Sequence, residues 1–271
     1  MKTFFREYNS IGLTIFLLML ILLKPLHVGA ETAADKGLTI AIEADKRDSG
    51  YGDSTANMLM ILRNKHGQES RREMRYRIME VDNDGDMSLI IFDSPKDVKG
   101  TAFLNYTHKV GDDDQWLYLP ALKRVKRISS SNKSGSFMGS EFAYEDISSQ
   151  EVEKYTYKWL QDEIYENRDC FVVERYPVDK KNSGYSRQVA WLDKDEYRTW
   201  KVEYYDRKNS NLKTLTISGY QKYNERFWRP DKLFMINHQT GKSTELQFSN
   251  YLFDVGLSPD DFNKNSLKRA K

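Results

Sequence analysis

A chain of 271 residues with 42 basic and 40 acidic side chains lacks the basic excess expected of a nucleic-acid binder. Its one cysteine, Cys170, excludes a framework of internal disulfides, so stability has to come from an apolar core. The length suits one large all-β domain.

Lys2 and Arg6 precede an apolar run from Ile11 to Leu23, and Val28-Gly29-Ala30 follows it. That order is a secretory signal peptide, with cleavage expected after Ala30. The run is shorter than the ~20 residues a membrane span needs, and Lys24 and Pro25 interrupt it. Losing residues 1–30 removes three basic side chains and one acidic one, which leaves 39 of each. Residues 31–271 are therefore expected to form a single soluble, formally neutral domain in the periplasm. No cysteine near the cleavage site could carry a lipid anchor.

After a polar stretch from Glu31 to Lys36, the spacing of Leu38, Ala41 and Ile42 predicts a short amphipathic helix ending at Asp48. From residue 53 the pattern becomes alternation, with Met58, Met60 and Leu62 on one face of a strand. His66-Gly67 turns the chain into a second strand carrying Met74, Tyr76 and Ile78. Asn83-Asp84-Gly85 reads as a hairpin turn before a third strand from Met87 to Phe92. Strands are expected again at 100–108, 115–119 and 124–129.

Residues 129–149 break the rhythm. A Ser/Gly/Asn-rich stretch is followed at once by Phe137, Met138, Phe142 and Tyr144, which reads as a plug over a core or a mobile flap. Strand patterns resume at 152–164, 170–177, 185–193, 197–207, 212–223, 226–236 and 243–251. A closing helical turn is expected around Asp260 to Phe262, behind Pro259. Regular strands and tight turns imply an antiparallel meander. Several strands are apolar on one face and charged on the other, and one helix and one loop are little to cover the apolar side. The sheet either closes fully and packs, or leaves a hollow suited to apolar ligands.

Motifs for chemistry are sparse. His66, His108 and His238 stand apart, without metal-ligand spacing. Asp82-Asn83-Asp84-Gly85-Asp86 superficially resembles a calcium loop, but its glycine falls too early and Ile91 stands where a closing carboxylate would be needed. Neither a Gly-x-Ser-x-Gly elbow nor a phosphate-binding glycine loop occurs. Arg124, Lys126 and Arg127 read as a solvated strand edge, or as a docking patch for an acidic partner. Cys170, beside Phe171, Val172 and Val173, reads as a buried core residue. No catalytic residue, cofactor or metal is assigned, although carboxylates converging in the fold could still make an enzyme.

Two longer runs are more specific. Residues 113–128 (Asp113-Asp114-Gln115-Trp116-Leu117-Tyr118-Leu119-Pro120 and onward to Ile128) and residues 135–146 (Gly135-Ser136-Phe137-Met138-Gly139-Ser140-Glu141-Phe142 and onward to Asp146) resemble a signature of outer-membrane lipoprotein-sorting-like proteins. This is the LolA-like group found with RND-type (MMPL) exporters. The helix with Ala41 and Asp45, the Gly100–Leu104 run and Trp228-Arg229-Pro230 fit as well. The resemblance covers the whole mature chain. It implies a mainly β fold: a large curved antiparallel sheet, or incomplete β-barrel, whose few covering helices enclose an apolar cavity. It further implies a periplasmic carrier of lipid or of lipoprotein acyl chains, without an enzymatic activity.

On that basis Met58, Met60, Leu62, Met74, Tyr76 and Ile78 are candidate lining residues from the first two strands, with Leu89 and Ile91 from the third. Phe103, Trp116 and Tyr118 extend the wall, and Phe137, Met138, Phe142 and Tyr144 are the candidate flap. Methionine suits such a wall because it adapts to irregular ligands. Met60→Glu is expected to abolish uptake in a folded protein. Two other classes stay open: an accessory or sensor of an RND-type membrane transporter with no ligand of its own, and a lipid hydrolase.

Overall fold

The computed structural model describes residues 31–269, so the expected signal peptide lies outside the described residues. Thr32 and Asp35 form a reciprocal capping box that starts helix α1 (Ala33–Asp48) earlier than the apolar spacing predicts. Gly37 lets α1 lie almost on the sheet. A side chain there would sit 2.6 Å from the backbone nitrogen of Trp159, and Lys36 stacks its ammonium 3.4 Å over the Trp159 ring.

Two antiparallel meanders follow. The first holds β1 (Asp53–Arg63), β2 (Glu69–Met79), β3 (Met87–Ser94), β4 (Ala102–Tyr106), β5 (Asp114–Leu119) and β6 (Arg124–Ile128). The second holds β7 (Tyr155–Tyr165), β8 (Arg168–Pro177), β9 (Tyr185–Asp193), β10 (Thr199–Asp206), β11 (Asn211–Tyr223), β12 (Phe227–Asn237) and β13 (Ser243–Phe253). They join side by side through β1 and β13, where Met58 lies opposite Phe248 and Met60 opposite Leu246. The result is one curved 13-stranded antiparallel sheet in which β6 and β7 are the free edges, so it does not close into a barrel. Arg124, Arg127 and Lys126 thus do stand on an edge strand, where charge deters sheet-to-sheet pairing.

The chain between the two edges crosses the concave face as a strap, which includes the single helical turn α2 (Tyr144–Ile147). Phe137 is fully buried against Phe92 and Phe103, with ring centres 6.1 and 5.2 Å away. Polar latches hold the strap from both meanders. Arg72 on β2 donates to the Met138 carbonyl (2.6 Å), and Lys213 on β11 donates to the Glu141 carbonyl (2.8 Å) and to Asp146 (2.6 Å). Buried Gln115 donates to Ser148 (2.8 Å), tying the end of the strap to β5. In this structure the segment lies packed on the core.

A second apolar layer covers the convex face. Phe262 and Leu267, from the closing turn and α3 (Lys264–Arg269), are fully buried against Leu89, Ile91, Leu104 and Trp116. This explains why Leu89-Ile90-Ile91-Phe92 shows no alternation: β3 is buried on both sides. A third cluster, Cys170 with Val172, Val189 and Trp191, includes the lone thiol, which burial pushes up to about 11.

Candidate functional site

Two regions of the concave face differ. Around β2–β5 the strap fills the curve, and Met60, Met74, Phe92, Phe103, Phe137 and Leu117 pack as solid core. Across β8, β9, β12 and β13 the sheet stands away from α1 and leaves a cavity of about 740 Å³. That is within the roughly 300–1,000 Å³ common for ligand sites. Ile40 and Ala44 of α1 roof it, Met58, Tyr76 and Ile90 form one wall, and Ala190, Leu192, Leu233, Leu246 and Phe248 form the other. Phe142 and Ile147 of the strap separate cavity from core.

The expected lining residues divide three ways. Met58, Tyr76, Ile78 and Phe142 border the cavity. Met60, Met74, Phe103 and Phe137 share its face but are sealed in the solid core, with Leu62, Met138 and Tyr144 packed at its edge. Leu89, Ile91, Trp116 and Tyr118 lie on the convex face and cannot reach the cavity. The register shows the slip: Tyr76 pairs with Ile90 and Met74 with Phe92, so it is Ile90 and Phe92 that face inward. A strand buried on both faces offers no periodicity from which to choose. Phe103 pairs with Leu117, and Trp116 with Leu104, which repeats the same one-residue error on β5. Met60 is also a poor test of uptake, because glutamate there would enter packed core.

The cavity has a polar end that the sequence reading missed. The acid-rich loop from Glu80 to Asp86 lies beside the end of the strap. Asp86 accepts hydrogen bonds from Ser149 (2.8 Å) and Tyr51 (3.1 Å), and burial pushes its carboxyl up to about 6. Glu151 is only 7% exposed and lines the cavity, and burial followed by the Asp86 charge pushes it up to about 7. Gly85 was expected to be a turn glycine, yet its role is close approach: an added Cβ would lie 2.7 Å from the Thr107 carbonyl and 2.8 Å from Glu151 Oε1. Several other charges around the cavity are committed, whereas Arg175 on β8 donates only to the neutral Gln188 (2.8 Å). Both oxygens of Glu80 accept from the Gly50 and Gly52 amides at 2.7 Å, Arg229 pairs with Asp48, and Arg198 with Asp193 (2.8 Å). Asp84 sits 2.7 Å from His108 Nδ1, which holds its carboxyl down at about 2. His238 meets Thr214 (2.8 Å), away from the cavity lining.

Among the described residues no group of three or more His, Cys, Asp or Glu side chains could hold a metal ion. No described helix is long and apolar enough to cross a membrane.

A family model described as "Uncharacterized protein" matches residues 84–269. Among solved structures, a Vibrio parahaemolyticus domain named for outer-membrane lipoprotein sorting is 60% identical, covering 87% of this chain and 100% of its own, with a TM-score of 0.85. A DUF1329 family protein from Desulfovibrio piger is 34% identical over 87% of this chain and 99% of its own, with a TM-score of 0.82. A LolA superfamily protein from Nitrosomonas europaea shares the fold at 20% identity and a TM-score of 0.68, covering 85% of this chain and 98% of its own. No curated protein matches the chain.

Proposed function

The chain belongs to the LolA-like DUF1329 family, and from that premise we propose that it is a periplasmic carrier of a lipid-like or acylated molecule. One observation carries this reading: the 740 Å³ space between α1 and the concave sheet, with an aliphatic and aromatic wall beside its polar end. A core built only for stability would be filled, as the neighbouring half is, because unfilled space forfeits packing contacts. Burying a methylene is worth about 0.8 kcal/mol, so ten or so give about 8 kcal/mol before ordering costs. The wall offers that burial without any covalent step, and the carrier acts by holding and releasing its cargo.

The name of the Vibrio relative supports lipoprotein acyl chains as the cargo class. The periplasm is the compartment where such a carrier works and where the leader at residues 1–30 would send it. Organic extraction of protein isolated from the periplasm, followed by mass spectrometry, tests the reading. A stoichiometric acyl species supports it and names the cargo. A folded protein free of any such species rejects it in favour of an accessory of a membrane exporter.

A further inference from the structure

We propose that the cavity is built for an amphiphile whose polar end is a primary amine, received by Glu151 and Asp86 while the apolar tail lies along Met58, Ala190 and Leu246. This rests on the carrier reading and names the class of cargo.

The geometry begins with Glu151. As a residue Glu151 is only 7% exposed and borders the cavity, and its carboxyl makes no hydrogen bond or ion pair among the described residues. Its oxygens are not among the side-chain atoms sealed from solvent without a partner, so they open onto the cavity, where a ligand's donor can reach them. Here the fold secures the carboxyl: Gly85 gives up its side chain so that Glu151 Oε1 can lie against that backbone. Asp86, the next residue, has only the hydroxyls of Ser149 and Tyr51 as side-chain partners.

The charges facing these two groups come from four elements. Asp45 is on the cavity side of α1, Glu80 closes β2, Lys109 lies between β4 and β5, and Lys154 follows Glu151 on the strap. Asp48 adds a further negative charge toward Asp86. Glu80 is satisfied by backbone amides, Asp48 by Arg229 and Lys154 by Asp113. What remains is Asp45, Asp86 and Glu151 against Lys109, which makes no ion pair among the described residues. This excess of carboxylate, with lone pairs that lack donors, calls for N–H groups that also carry positive charge. The same carboxyls do not form a metal cluster, so an organic ammonium suits them and a divalent ion does not. Lys109 is then the internal cation with which the ligand competes.

Dodecylamine and dodecanol, displacing a fluorescent apolar reporter from the purified protein, provide the test. A charge-assisted hydrogen bond to a buried carboxylate should favour the amine over the alcohol by about tenfold at about pH 8. At about pH 5 the carboxyls carry protons while the alkylammonium stays charged, so the preference should shrink to about twofold. Glu151→Gln should remove most of the preference at about pH 8. Lys109→Met should raise amine affinity severalfold, a gain that a merely damaged fold would not give. If both probes bind equally at about pH 8, the amine assignment is wrong and the carrier reading stands. An amine preference that survives Glu151→Gln and Asp86→Asn likewise overturns the assignment. If neither probe binds, the carrier reading itself falls.

Discussion

Around β2–β5 the concave face is filled by the strap, with Phe137 between Phe92 and Phe103, whereas across β8–β13 the same face stands off from α1 and encloses open space. Both halves belong to one continuous sheet, so the difference comes from what is laid on top of it. The strap brings bulky aromatic rings on a backbone latched from β2, β11 and β5. Helix α1 brings Ile40 and Ala44, short side chains on an element held off the sheet centre by its contact with β7. One half is thus built for stability and the other for occupancy, and substitutions should separate the two properties.

Phe137→Ala should be the most damaging, removing about 3–5 kcal/mol of unfolding free energy in urea titration. A loss under about 1 kcal/mol would mean the filled half is not core after all. Leu89→Ala should cost about 2–4 kcal/mol while leaving uptake of an apolar probe unchanged, because Leu89 packs on Phe262 and Leu267 on the convex side. Reduced uptake by a folded Leu89→Ala protein would break the assignment of faces.

The polar end of the hollow should show in the pH dependence of stability. Glu151 and Asp86 titrate at about 7 and about 6 in the fold, above the ordinary carboxylate range. Their protonated forms are therefore favoured by folding, and that contribution is complete below the unfolded values near 4. It is lost as pH rises through 6 and 7, so the ligand-free protein should become less stable by on the order of 2 kcal/mol between about pH 5 and pH 8. Thermal or urea unfolding of Glu151→Gln should show a flatter profile. The smallest stability effect belongs to Ala190→Leu, which projects into open space. It should change unfolding by under about 1.5 kcal/mol yet strongly reduce uptake of a long-chain probe.

Much of the architecture was legible. Every strand falls within a few residues of where alternation and turn residues place it, because most strands are wet on one face. The apolar content of the strap was visible as Phe137, Met138, Phe142 and Tyr144, and its role follows from where the chain has to cross. The facing of β3 and β5 was not legible. Phe262 and Leu267 cover their convex side from the far end of the chain, which erases the period-2 signal at Leu89, Ile91, Trp116 and Tyr118. The polar end of the cavity was hidden for a different reason. Asp86 and Glu151 come together through Gly85, at a separation that no local spacing encodes, and a loop set aside as a failed calcium motif turned out to supply one of them.

The pairing of β1 with β13 has a consequence for the order of assembly. Ser54 meets Phe253, so the first strand made finds its neighbour only after nearly the whole chain is present. Strands β1–β6 can zip into a meander as they emerge N-terminus first, and β7–β13 can do the same later, each through short turns. Until the last strand arrives, β1 is a long, apolar, unpaired edge, the kind of surface that invites aggregation or exchange between copies. The seam at the middle of the sheet is therefore the slow joint of the molecule, and the interval before it closes is when this chain most needs a chaperone.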